Sequence, residues 1–226
     1  MSLRAGQTEA TVATSLPDER PQRAATPAAG RDVADGDLQR EPVLYVDDAR
    51  YRRLWSLLKE SRAHSGGADV VSNDELARVL YHEARLLDDK YYDKWLGLFT
   101  AECLYWVPNR SDPGDPRLET GIYLDDRRRL LDRVAALRTG HLHAQNPPSR
   151  TRRMLTNIEQ WTLSDGSFRA RANVVIWETR KGRTRAHPGW QAYEVVRDDS
   201  GALRLATKIV CLLDCDAPQG NYSFIL

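Results

Sequence analysis

Near His143 the period of the apolar side chains changes from about 3.6 residues to 2, and that switch limits the fold more than any other feature. Before it, Tyr51, Leu54, Trp55 and Leu58 share a helical face within residues 47–61, and His64-Ser65-Gly66-Gly67 breaks the helix. Ser72-Asn73-Asp74-Glu75 reads as a capping box, in which the serine accepts from a free helical N–H while Glu75 reaches back. Leu76, Val79, Leu80, Ala84 and Leu87 continue as a second stripe. Asp88-Asp89 interrupts it, and Tyr91, Trp95, Leu98 and Phe99 resume it on a short helix. Leu104-Tyr105-Trp106-Val107 is expected as a strand ended by Pro108. A polar loop through Ser111-Asp112-Pro113-Gly114 leads to a helix over about 126–137, with Leu130, Leu131, Val134 and Leu137 inward.

After the switch, Thr151 to Leu163 forms a strand and Ser164-Asp165-Gly166-Ser167 a hairpin turn. Phe168, Ala170, Ala172, Val174 and Ile176 share one face of the next strand, with Arg169, Arg171 and Asn173 on the other. The basic loop Arg180-Lys181-Gly182-Arg183 follows, then a strand from Trp190 to Val196 and the tight turn Asp198-Asp199-Ser200-Gly201. In the last strand Leu203, Leu205, Ile209, Cys211 and Leu213 line one face, with Arg204 and Lys208 opposite. Helices first and a meander afterwards imply an α+β fold, a curved antiparallel or mixed sheet with the N-terminal helices on one face.

Residues 1–41 hold no Trp, Tyr or Phe and are dominated by Ala, Thr, Pro and charged residues. Too little apolar surface is available there to offset ordering entropy, so a disordered extension is expected, with 42–226 as a single domain. The charge balance of 33 Lys and Arg against 32 Asp and Glu excludes a general nucleic-acid binder. No apolar run approaches the roughly 20 residues of a membrane span, and no signal-peptide h-region opens the chain. Three cysteines make no disulfide framework. A cytoplasmic protein that binds neither membrane nor nucleic acid is expected.

Few residues invite chemistry. His141-Leu142-His143 puts two imidazoles on one face of a strand, yet a metal site needs a third ligand and a second shell. Cys103, Cys211 and Cys215 provide no Rieske or zinc spacing and read as buried thiols. His82, Asp89, Asp93, Tyr105, His141 and His143 are the residues from which an acid–base set would be drawn. The plainer reading has Asp88, Asp89 and Asp93 solvated at helix ends and Tyr105 in the core with its hydroxyl satisfied. No nucleophile elbow, dinucleotide fingerprint or P-loop is present. The basic groups Arg127-Arg128-Arg129, Arg150-Thr151-Arg152-Arg153 and Arg180-Lys181-Gly182-Arg183 suit salt bridges or a protein contact.

Four segments resemble the small (beta) subunit of aromatic-ring-hydroxylating dioxygenases. They are Tyr81-His82-Glu83-Ala84-Arg85-Leu86-Leu87-Asp88 continuing to Trp95-Leu96-Gly97-Leu98-Phe99-Thr100; Tyr105-Trp106-Val107-Pro108; Arg138-Thr139-Gly140 followed by residues 146–153; and Asn221-Tyr222-Ser223-Phe224-Ile225-Leu226. The resemblance covers about residues 74–226. It implies the cone-shaped fold shared with nuclear transport factor 2 and ketosteroid isomerase, and a structural subunit without catalytic residues, metal or cofactor of its own. It further implies a large alpha subunit carrying a Rieske [2Fe-2S] cluster and mononuclear Fe(II), an α3β3 hexamer, and indirect service by a ferredoxin and a reductase. Two departures are His141-Leu142-His143, where the family often has an aromatic residue, and a longer N-terminal extension.

The expected interface is Pro147, Pro148, Arg150, Arg152, Arg153, Tyr222 and Phe224. Two prolines stiffen the loop, the arginines offer bidentate bonds to carboxylates, and an apolar tail is suited to docking. The competing reading is a stand-alone isomerase, dehydratase or cyclase on the same fold, marked by an open apolar pocket with an acid–base pair at its base. An adaptor without an enzyme partner fits the composition but not the four segments.

Overall fold

The computed structural model describes residues 46–63, 74–140, 142–217 and 222–226. The expected disordered extension, the capping Ser72 and His141 lie outside them. Helix α1 spans Asp48–Arg62, and its N-cap Asp47 accepts from the Arg50 N–H at 2.8 Å. Helix α2 spans Asp74–Asp88 and the short α3 Tyr92–Leu96. Two backbone bonds close α2, Tyr91 N–H to Leu86 and Lys90 N–H to Leu87, with Lys90 left-handed at φ 62°. This is a Schellman closure with lysine where glycine is usual, and it explains the break in periodicity after Asp88.

Strands β1 (Phe99–Pro108) and β2 (Gly121–Asp126) precede helix α4 (Arg127–Arg138), whose N-cap is Asp126. Strands β3 (Arg150–Thr162), β4 (Phe168–Arg180), β5 (Arg183–Arg197) and β6 (Leu203–Leu212) follow. The sheet order is β2-β1-β6-β5-β4-β3. All neighbours are antiparallel except the central β1 and β6, so the sheet is mixed. No helix among the described residues is long and apolar enough to cross a membrane.

The α+β class holds, with several corrections of detail. Helices α2, α3 and α4 pack on the inner face, around Leu76, Leu80, Trp95 and Leu130. Helix α1 lies instead on the outer face, where Leu54, Leu57 and Leu58 meet Trp106, Ala192, Ile209 and Cys211. Each of these leucines contributes roughly 1.5–3 kcal/mol by burial. Half-exposed Arg53 on the same helix adds an ion pair to buried Glu194 on β5. Phe99 begins a strand rather than ending a helix. Strand β2 occupies part of what reads as loop, β5 starts at Arg183 rather than Trp190, and Leu131 faces solvent.

The largest correction concerns Lys208. Glu194 pairs with Thr207 and Val195 with Leu205, which leaves Ala206 unpaired as a one-residue bulge. The bulge reverses the alternation, so Lys208 joins Leu203 and Leu205 on the inner face, while Ile209 and Cys211 turn outward. Leu213 lies just past the strand and is 63% exposed.

Cys103, Cys211 and Cys215 are buried and free of disulfides. Burial pushes the Cys103 thiol up to about 11 and raises that of Cys211 further. At pH 8 the native chain is expected to expose at most one thiol, Cys215, to a disulfide reagent, and all three once denatured. Rapid native modification of Cys103 or Cys211 would contradict this packing.

Candidate functional site

Glu83 follows Leu76 by seven residues and precedes Leu87 by four, so it lies on the buried stripe of α2. The bulge aims Lys208 at it from the sheet. Lys208 Nζ and Glu83 Oε1 are 2.7 Å apart, with the side chains 0% and 1% exposed. The same oxygen accepts from Trp95 Nε1–H at 2.7 Å, while Glu83 Oε2 has no partner among the described residues. Lys208 Nζ stands 5.7 Å from the ring centroids of both Tyr105 and Tyr193. Burial lowers the Lys208 ammonium pKa although Glu83 opposes the shift, and it raises both phenols well above their ordinary value.

An acid–base enzyme on this fold would need such a pair at the base of an open pocket. Here residues 222–226 seal it. Phe224, Ile225 and Leu226 are buried in the inner core, and the Leu226 carbonyl accepts from the Tyr105 hydroxyl at 2.7 Å and from Lys208 at 3.4 Å. Arg153 donates to the Ile225 carbonyl and to Asp88, and its side chain is 1% exposed. Asp88 is therefore not the solvated helix-end acid of the sequence reading. It accepts from Thr151 Oγ1 at 2.9 Å and from the Arg153 N–H at 2.8 Å.

The other acid–base candidates do not converge. Tyr105 sits in the core with its hydroxyl satisfied. Asp89 and Asp93 are exposed and pair with Arg152 and Arg138. His82 lies beside Arg85 on α2, and His143 is exposed in a single 3-10 turn. Glu83 and Lys208, which do converge, escaped the sequence reading as a pair. The only local signal was the place of Glu83 on the apolar stripe of its helix.

The expected interface residues divide by direction. Pro147, Pro148, Arg150 and Arg152 are exposed, whereas Arg153 and Phe224 point inward and Tyr222 is half-buried. The proline loop is held from behind. Gln145 Oε1 accepts from the Ser149 N–H at 2.9 Å, Ser149 Oγ donates to Glu178 at 2.6 Å, and Gln145 Nε2 donates to Ser223 Oγ at 2.6 Å. His187 Nε2 lies 3.3 Å from Glu178, and its ring packs against Tyr222 and Phe224. Loop, hairpin and residues 222–224 thus form one fixed ledge, which lowers the ordering cost of any contact made there.

A family model described as "Ring hydroxylating beta subunit" matches residues 82–218. The small oxygenase component of the p-cumate 2,3-dioxygenase system of Pseudomonas putida is 35% identical over 163 residues, 70% of this chain and 89% of its own. The small subunit of 2-halobenzoate 1,2-dioxygenase of Burkholderia cepacia is 32% identical over 144 residues, 60% of this chain and 86% of its own. The solved beta subunit of benzoate 1,2-dioxygenase from Burkholderia mallei superposes with a TM-score of 0.55 at 26% identity, over 69% of this chain and 98% of that one.

Proposed function

Since the chain belongs to the family of ring-hydroxylating beta subunits, we propose that it is the structural, non-catalytic small subunit of an aromatic-ring-hydroxylating dioxygenase. Its place is in the terminal oxygenase, assembled with a large catalytic subunit. The observation that carries the non-catalytic assignment is the sealed interior. The Lys208–Glu83 pair is the one feature shared with an acid–base enzyme, and Phe224–Leu226 close it to any substrate.

The chain's own donors do not suit the iron groups of such an oxygenase. Its three cysteines are buried, His187 is engaged by Glu178, and among the described residues no three His, Cys, Asp or Glu side chains are placed to hold a metal. In this reading the Rieske [2Fe-2S] cluster and the mononuclear Fe(II) belong to the large subunit. Ferredoxin and reductase serve that subunit, the assembly is an α3β3 hexamer, and it resides in the cytoplasm.

What the small subunit supplies is a rigid surface, the ledge of Pro147, Pro148, Arg150 and Arg152. Co-expression with its large subunit is expected to give one co-eluting complex, with iron in the complex and none retained by the small subunit alone. The Arg150→Ala/Arg152→Ala variant is expected to weaken assembly while the isolated chain keeps its melting temperature within a degree or two, as exposed substitutions do. Failure of the wild-type chains to co-elute, or turnover by the small subunit alone, would overturn the proposal.

A further inference from the structure

We propose that the β4–β5 hairpin, from Trp177 to Ala186, is a cationic arm that docks onto an acidic surface of the large subunit. This rests on the small-subunit reading and adds to it a second contact and its chemistry. The arm is stiff at its tip. Arg180 pairs with Arg183 across Lys181 and Gly182, both left-handed at φ 49° and 74°, as in a two-residue type I′ turn.

The arm's own cations crowd its inner face and tip, and cations of neighbouring elements flank its outer face. On the inner side Arg180, Lys181, Arg183 and Arg185 line a groove of about 360 Å³, and the one acid there, Glu178, is engaged by Ser149 and His187. On the outer side Trp177 is 45% exposed and sits opposite Arg152 on β3. Those two residues, with Lys90, Arg150, Thr151 and Thr179, border a second groove of about 350 Å³, whose one acid, Asp88, is engaged by Arg153 and Thr151.

Away from the arm, Arg53, Arg133, Arg169, Arg197 and Arg204 each find a carboxylate, and Arg127 and Arg129 donate to backbone carbonyls. Among the described residues Arg150, Lys181, Arg183 and Arg185 have no acidic partner, and Arg180 donates to the Pro147 carbonyl. That last bond joins the arm to the proline ledge, so the two surfaces are continuous.

The charge selects the occupant. Two copies of this chain would bring the same cations face to face, and like-charge juxtaposition opposes such a pairing. A formal net charge of +1 gives no general attraction to polyanions. Arginine and tryptophan together are the residue types enriched at protein interfaces, and the unmatched cations call for Asp and Glu opposite them.

The test uses the co-expressed complex with three small-subunit variants: Arg183→Glu/Arg185→Glu, Trp177→Ala, and Arg128→Glu on α4 as a remote control. Association is measured at low and high salt, with the melting temperature of each isolated chain alongside. The double charge reversal is expected to weaken association at least about tenfold and to flatten its salt dependence, and Trp177→Ala to weaken it at both salt concentrations. The control and all melting temperatures are expected to stay near wild type. If wild type assembles and both arm variants assemble equally well, the arm proposal falls while the small-subunit reading stands. If wild type does not assemble, both fall. A self-association of the isolated chain that the double reversal abolishes, with large-subunit binding intact, would assign the arm to a second copy and overturn the proposal.

Discussion

Lys208→Met is expected to destabilise the chain by about 3–5 kcal/mol, because it leaves Glu83 charged, buried and without its cation. At this chain length each kcal/mol moves the melting temperature by roughly 2–4 °C, so the loss is plain in a thermal scan. The double variant Glu83→Gln/Lys208→Met removes both charges and keeps an acceptor for Trp95 Nε1–H. It is expected to recover most of the loss, since replacing a whole buried ion pair costs far less than breaking one. The quantity to measure is the coupling across that double-mutant cycle. Single and double variants melting alike would mean that Lys208 does not compensate Glu83.

Arg153→Ala is the second large effect, about 3 kcal/mol in the isolated chain. Asp88 retains the Thr151 hydroxyl and the residue-153 N–H, so its charge is only partly abandoned, but the Ile225 carbonyl loses its donor. Arg150→Ala, three residues earlier and solvent-exposed, is expected to stay within about 0.5 kcal/mol. Strand alternation separates the two side chains. Arg150 and Arg152 project outward, where the proposal gives them a part in assembly, whereas Arg153 projects inward and is expected to act at the level of folding. Denaturant melts of both isolated variants decide the matter, and an Arg153→Ala chain as stable as wild type would remove Arg153 from the fold's supports.

Residues whose role is set locally were legible in the sequence. The stripe of α2, the turn at Asp165-Gly166 and the stiffness of Pro147-Pro148 depend on neighbours a few positions away. Strand β2 was not, because Ile122, Tyr123 and Leu124 form a brief half-buried run on a sheet edge, too short to show a period. Lys208 was misassigned because a single bulged residue at Ala206 inverts the face of everything after it, and no composition cue marks a bulge. Glu83 and Arg153 failed for another reason. A charged side chain reads as facing solvent or a neighbour until its partner is known, and those partners are Trp95 on α3 and Lys208 on β6 for one, Asp88 and Ile225 for the other.

The parallel pairing of β1 with β6 has a consequence for how the chain reaches this structure. Strands β3, β4 and β5 are joined by tight turns and can zip in the order in which they leave the ribosome. Strand β1 emerges long before its partner, since Phe99 pairs with Leu205, and until then it has only the short β2 beside it. Two strands alone are marginal, so the nascent chain carries an open apolar edge from the completion of β1 at Pro108 until Leu205 is made. Pairings this distant in sequence also fold slowly. A chain cut short before Leu203 would keep that edge and aggregate, even with the β3–β5 meander already formed.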